Sequence, residues 1–339
     1  MTSGFLSRPP AEGARLIALS YLDQAAAARG RLADPADAEA LHDFRVALRR
    51  LRSCLRAYGD LLEDSVPRKL AKRLKRLAGA TGPGRDAEVQ LEWLRGQGSR
   101  LASHQRPGYS WMLARVNDRR REAYEGLQQE IERDFPDVND DLRHRLSVYH
   151  TKVHLDPAAP RPTLAEATAA ILRDQVADLV AHLAKVEDAD DKDKAHEARI
   201  SAKRVRYLLE PFAEELPDSA PVIKRFKALQ DLLGDLHDAH VLEDELTEAV
   251  EDAAAERTRR ILQLSLEDPH SALLRAQRRR SPEAGLIALA RRNRDRRDRL
   301  FATLKDEWLD GKGEEFLGEV EALGETMKEM KDQYAPPSV

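Results

Sequence analysis

Long stretches in which apolar residues recur every three or four positions fill most of this chain, separated by short breaks rich in Gly, Pro and Asp. A period of two with β-branched residues persists nowhere, so the pattern predicts an all-α protein. A first helix is expected over 12–29, and Asp34-Pro35 opens the next. Over 36–63, Phe44, Leu48, Leu51, Leu55, Tyr58 and Leu62 gather on one side at roughly 100° per residue. On the other side His42, Arg45, Arg49, Arg52 and Arg56 fall within about 80° of one another. The stretch therefore predicts an amphipathic helix whose polar face is almost purely cationic.

The arrangement returns later in the chain. His196, Arg199, Lys203 and Arg206 line one face of a second helix, and Ala198, Ala202, Val205, Leu209, Phe212 and Leu216 line the other. Each histidine is followed by cations at the same spacings, Arg45, Arg49, Arg50 and Arg52 in one copy and Arg199, Lys203, Arg204 and Arg206 in the other. Pro67 and Pro221 then open a further helix near its first turn, where proline is tolerated. These helices carry Lys72, Arg73 and Lys75, or Lys224, Arg225 and Lys227. Each leads to a glycine expected to end it, Gly82 or Gly234, and then to Arg85-Asp86 or His237-Asp238.

The copies are offset by 154 at the histidine (196 − 42) and by 152 at the glycine (234 − 82). A nearly constant offset over several matched positions reads as an internal duplication, hence two related helical bundles. We place the first half at 11–150 and the second at 163–332. The linker between them, 151–162, contains the helix-breaking run Asp156-Pro157-Ala158-Ala159-Pro160-Arg161-Pro162. The first half continues through a long helix at 109–134. The second continues through 284–310, with Arg292, Arg296 and Arg299 among its cations. The Arg-rich stretch 257–281 is expected to be a loop insertion, and the tail from Tyr334 to be disordered.

Composition supports helices: charged residues make up 34%, aromatics only 5%, and Gly and Pro are few. The net charge of −4 by itself predicts no anionic partner. The distribution does, because basic residues crowd 45–76, 199–227 and 291–299, while acidic residues crowd 187–193, 243–256 and 306–325. The single cysteine, Cys54, excludes an intrachain disulfide and is expected to be a buried, inert thiol. The first ten residues lack the apolar segment of a secretory signal. No apolar run approaches the roughly 20 residues that span a bilayer. A cytoplasmic protein without a membrane partner is the expectation.

The chemistry lies in the paired stripes. Solvated helix faces normally mix charge signs, because like charges three or four residues apart repel. A stripe that tolerates this repulsion twice points to an anion that relieves it. Arginine suits phosphate, since its planar fork stays charged and donates two parallel hydrogen bonds. His42 and His196, at the ends of the stripes, are further donors when protonated. His42-Asp43 and His237-Asp238 invite comparison with metal phosphohydrolases. Cations surround these histidines, however, and Arg85 replaces His237 in the first copy, so no metal or cofactor is expected. The run from Gly79 to Arg85 lacks the terminal Gly-Lys-Ser/Thr of a phosphate loop. No catalytic constellation stands out, and the chain reads as a non-enzymatic binder.

The repeated His-x-x-Arg-x-x-x-Arg/Lys-Arg-x-Arg helix, followed by Leu-x-x-x-x-Gly-x-x-Arg/His-Asp, resembles the CHAD domain, the conserved-histidine α-helical domain. The likeness covers about 11–310. It implies two four-helix bundles related by a pseudo-twofold around a basic central groove or pore. It also implies binding of inorganic polyphosphate without catalysis and, for some members, association with polyphosphate or polyhydroxyalkanoate granules. The binding residues would be His42, Arg45, Arg49, Arg50, Arg52, Lys72, Arg73, Lys75 and Arg85 in the first half. In the second they would be His196, Arg199, Lys203, Arg204, Arg206, Lys224, Lys227, His237, Arg292, Arg296 and Arg299. Nucleic acid or another polyanion is the alternative ligand, and a His-Asp metal-dependent phosphohydrolase the less favoured alternative.

Overall fold

The apolar faces read from the sequence are the faces that the protein buries. Phe44, Leu48, Leu51, Tyr58 and Leu62 are buried in the first copy, and Ala198, Ala202, Val205, Leu209, Phe212 and Leu216 in the second. The computed structural model describes residues 4–34, 36, 37, 39–148, 162–279 and 281–333, and the regular elements among them are all helical. Most of the linker placed at 151–162 and the tail from 334 lie outside the described residues.

The helices run in order α1 (Pro10–Arg31), α2 (Ala40–Ala57), α3 (Arg68–Ala80), α4 (Gly82–Gln97), α5 (Arg106–Tyr124) and α6 (Leu127–Ser147). Then come α7 (Leu164–Leu183), α8 (Lys192–Leu209), α9 (Ser219–Glu267), α10 (Ala272–Arg279), α11 (Glu283–Trp308) and α12 (Glu314–Gln333). The cationic stripes therefore sit on α2 and α8. Thr163 and Glu166 form a reciprocal capping box at the start of α7. Pro10 takes the first position of α1, where its missing N–H costs nothing.

Buried apolar side chains form two clusters, and each draws on both halves of the sequence. The larger joins α1, α2, α3 and α6 to α7, α8, α12 and the first part of α9. The smaller packs Leu91 and Leu94 of α4 and Met112 and Val116 of α5 against Leu242 and Leu246 of α9 and Leu286 and Leu289 of α11. A buried hydrogen bond of 2.8 Å joins the Tyr58 and Thr168 hydroxyls across the larger cluster. Glu215 accepts from the backbone N–H groups of Phe5 and Leu6 at 2.9 and 3.1 Å. These ties bring α1 against α7 and α2 against α8, and the second contact sets the two stripes side by side.

Three boundaries differ from the sequence reading. Gly234 does not end a helix but lies inside the 49-residue α9. The cause is the neighbouring position: the first copy follows Gly82 with Pro83, whose missing N–H interrupts the ladder, and the second has Asp235 there. A lone helical glycine costs only about 1 kcal/mol, which the burial of Leu233 and Leu236 on either side offsets. The stretch 257–281 is not a plain loop, because α9 runs on to Glu267 and α10 folds back on it. The expected helix 109–134 is two helices, α5 and α6, broken at Gly126, which takes φ of 81°. Cys54 is buried, and burial pushes its thiol up to about 12, in line with an inert side chain. Among the described residues no helix is long and apolar enough to cross a membrane.

α5 and α11 cross backbone to backbone near their N-termini, at Gly108 and Gly285. A methyl group on Gly108 would overlap the Pro282 carbonyl oxygen and sit 2.7 Å from the Leu286 nitrogen. One on Gly285 would overlap the Gln105 carbonyl oxygen. Gly96, inside α4, has open space around its position. In urea unfolding, Gly108→Ala and Gly285→Ala should each destabilise the protein by about 2–4 kcal/mol. Gly96→Ala should instead stabilise it by about 0.5–1 kcal/mol. Equal effects at the three glycines would show that the crossing is looser than described.

Candidate polyanion-binding site

The contact between α2 and α8 brings their cationic faces together on the side away from the buried apolar faces. Lys203 of α8 is half-buried at the centre, acted on by the charges of Arg199, Arg49, Arg52 and Arg56. Desolvation first, then these four guanidiniums, lower its ammonium to about 7. Arg45 is lowered by desolvation and by the charge of Arg49, and Arg52 by desolvation and Arg56. The Nε atoms of Arg49, Arg199 and Arg204 are buried without a hydrogen-bond partner among the described residues. Among those residues, no salt bridge involves Arg45, Arg49, Arg52, Arg56, Arg199, Lys203 or Arg204. Seven cations on two adjoining helices thus make no ion pair with a carboxylate, although Asp86 and Asp238 act at longer range on Arg45 and Arg199.

Two smaller features flank them. On one side Arg52 and Arg56 share a cleft of about 290 Å³ with Lys72 and Lys75 of α3. On the other, Arg199, His237, Asp238, Gln90 and Asp86 line a cavity of about 190 Å³. The rings of His196 and His237 lie 4.8 Å apart. Desolvation, then the charge of Arg199, lowers His237 to about 4, so it is a neutral imidazole at neutral pH. Burial also raises Asp238, against the opposing pull of Arg199. Gly234 leaves room for the Arg199 Nε, which lies 3.8 Å from where a β-carbon would stand. That is ordinary contact distance, so a methyl group at this position of α9 would also fit.

The other expected site residues are placed differently. Arg50 and Arg206 both bond Glu210, each at 2.8 Å, and Arg206 also donates to Gln230 at 3.0 Å. Arg73 pairs with Asp137 at 3.6 Å, and Arg85 with Glu88 at 3.3 Å. On α11, Arg296 pairs with Asp235 at 2.9 Å, and Arg292 donates to the Arg100 carbonyl at 2.6 Å. His42, Lys224, Lys227 and Arg299 are exposed. Arg56 belongs to the stripe and lines the cleft, though it is absent from the residues expected to bind. Tyr207 and Glu210 were missed as well. Aligning the copies at offset 154 sets Tyr207 on Ser53 and Glu210 on Arg56, a signal that was available in the sequence. Among the described residues no group of three or more His, Cys, Asp or Glu side chains is arranged to hold a metal ion.

Comparison with known proteins identifies the family and the fold. The family model of the CHAD domain matches residues 16–247. The crystal structure of the CHAD domain from the plant Ricinus communis is 20% identical, with a TM-score of 0.56 over 94% of this chain and 92% of that one. PptA from Streptomyces chartreusis is 17% identical, with a TM-score of 0.56 over 95% of this chain and 99% of that one. At these identities the two structures speak for the fold alone. No curated protein matches the sequence. With its all-helical fold and a family match over most of its length, the chain belongs to the CHAD domain family.

Proposed function

We propose that this protein binds inorganic polyphosphate, without turning it over, along the facing stripes of α2 and α8. One observation carries the reading: Lys203 and the guanidiniums of Arg49, Arg52, Arg56 and Arg199 crowd together, and none of them is ion-paired to a carboxylate among the described residues. Burying like charges without counter-charges is costly, and a linear polyanion removes that cost at several positions at once. Polyphosphate matches the surface because it presents phosphate oxygens along its whole length and needs no base-stacking platform. Single-stranded nucleic acid usually needs aromatic platforms, and Tyr207, the ring against Arg49 and Arg206, is buried and covered by them.

Each phosphate neutralised releases a counterion. By analogy with single-stranded nucleic acid, affinity should fall with log salt at a slope of about −0.7 per contact. Granule association, where polyphosphate is dense, would follow from the same surface. His237 and Asp238 serve in this reading as neighbours that shape the pocket around Arg199.

Charge reversal tests the reading. Arg49→Glu combined with Lys203→Glu should weaken polyphosphate binding about a hundredfold or more at about 150 mM salt. Helical content should be unchanged, because both side chains lie opposite the apolar face. Tighter binding of single-stranded RNA than of polyphosphate by the unaltered protein, at matched salt, would overturn the choice of ligand.

Proton linkage gives a second test. Lys203 titrates near 7 in the free protein, and a bound anion favours its charged form, so binding above that pH takes up a proton. Affinity should therefore fall as pH rises from about 6.5 to about 9, and proton uptake on binding should be measurable by calorimetry in buffers of different ionisation enthalpy. Lys203→Arg keeps the charge throughout. Its affinity should lose this part of the pH dependence, while titration of the ligand's own terminal phosphates stays common to both proteins.

A further inference from the structure

The offset that pairs His42 with His196 also pairs Ser53 with Tyr207 and Arg56 with Glu210. At these two positions the copies differ in kind, and the two ends of the site differ with them. At the α8 end, Glu210 bonds both Arg50 and Arg206, and the Arg206 side chain is only 13% exposed. The buried Tyr207 ring fills the space beside them, with the Arg49 and Arg206 guanidiniums 5.7 and 5.1 Å from its centroid. One carboxylate and one aromatic ring thus occupy the cations of this end.

The matching end on α2 is open. Arg204 corresponds to Arg50, and its Nε is buried without a hydrogen-bond partner among the described residues. Arg56 stands where the other copy has its carboxylate, and Ser53 replaces the ring. Arg52 and Arg56 continue into the cleft that Lys72 and Lys75 line, a run of cations leading away from Lys203. The counterparts of those lysines, Lys224 and Lys227, lie exposed on α9 beyond the occupied end.

We propose that a polyphosphate chain seated at Lys203 extends to one side only, over Arg52, Arg56, Lys72 and Lys75, and that Glu210 and Tyr207 form the stop on the other side. This rests on the polyphosphate reading and deepens it, because it makes Glu210 a determinant of how much of a long chain the protein can hold. A short oligophosphate fits within the central stripe. Only a longer one reaches the α3 lysines and gains from them.

Two surface pairs test this without disturbing the core. Lys72→Ala with Lys75→Ala should weaken binding of a chain of about a hundred phosphates roughly tenfold and reduce its log–log salt slope by about 1.4. Binding of a chain of about five phosphates should stay within about twofold of the unaltered protein. Lys224→Ala with Lys227→Ala should leave both affinities within about twofold. Glu210→Gln keeps an acceptor for only one of Arg50 and Arg206 and removes the charge that holds both, so it should tighten long-chain binding and steepen its salt slope. Losses from the Lys224 and Lys227 pair as large as those from Lys72 and Lys75 would overturn the one-sided path while leaving polyphosphate binding intact. Unchanged or weaker long-chain binding by a folded Glu210→Gln would overturn the stop. Failure of the unaltered protein to retain any polyphosphate would remove the underlying reading itself.

Discussion

The structure turns on one unfavourable contact, the meeting of two cationic helix faces. Arg45, Arg49, Arg52 and Arg56 on α2 and Arg199 and Lys203 on α8 repel along each helix and between them. Among the described residues, the Arg50–Glu210 pair is the one ion pair across α2 and α8, and it does not touch these six cations. Apolar burial holds the arrangement together: Phe44, Leu48 and Leu51 behind one stripe, and Ala198, Ala202 and Val205 behind the other, lie in the same core and fix both rotations. Burial first, and then the four neighbouring guanidiniums, push the Lys203 ammonium down to about 7, so loss of a proton there relieves part of the repulsion.

Much of this was legible in the sequence, and the reasons are physical. A stripe at helical spacing is a local property, so the amphipathic period of α2 and α8 specified both the buried and the charged faces. The repeat offset then aligned one copy on the other. Features that depend on how helices meet in space were not legible. Gly108 and Gly285 carry no sign that they cross, since a close approach depends on both backbones and not on either sequence alone. Gly234 reads as a helix end until the absence of a following proline is given its weight. Arg50 and Arg206 fit the cationic pattern as well as Arg52 does, and only the reach of Glu210 across from α8 separates them.

Apart from Glu210 at one end and Asp86 and Asp238 near Arg45 and Arg199, many of the acidic residues pair with cations away from the stripes. In the second cluster, where α5, α9 and α11 pack, Arg115 pairs with Asp252 at 2.8 Å and Arg119 with Glu245 at 2.5 Å. The acidic turn before α8 works similarly. Asp191 accepts from the backbone N–H groups of Glu187 and Asp188, and Asp190 reaches Arg297 at 2.6 Å.

That contrast is the strongest argument that the stripes are functional. Arg297 is the more buried cation, 7% exposed at its side chain, and the fold surrounds it with Asp190, Glu243 and Asp298. The same chain therefore neutralises a buried guanidinium where it serves packing. At Lys203 it does the reverse, surrounding a half-buried amine with four guanidiniums and placing no carboxylate within ion-pair distance. That the fold pairs its structural cations and leaves one contiguous group without an ion pair is what supports the proposed binding of an external anion there. Glu210 sharpens the point, because a single carboxylate at the homologous position occupies two arginines at one end of the site.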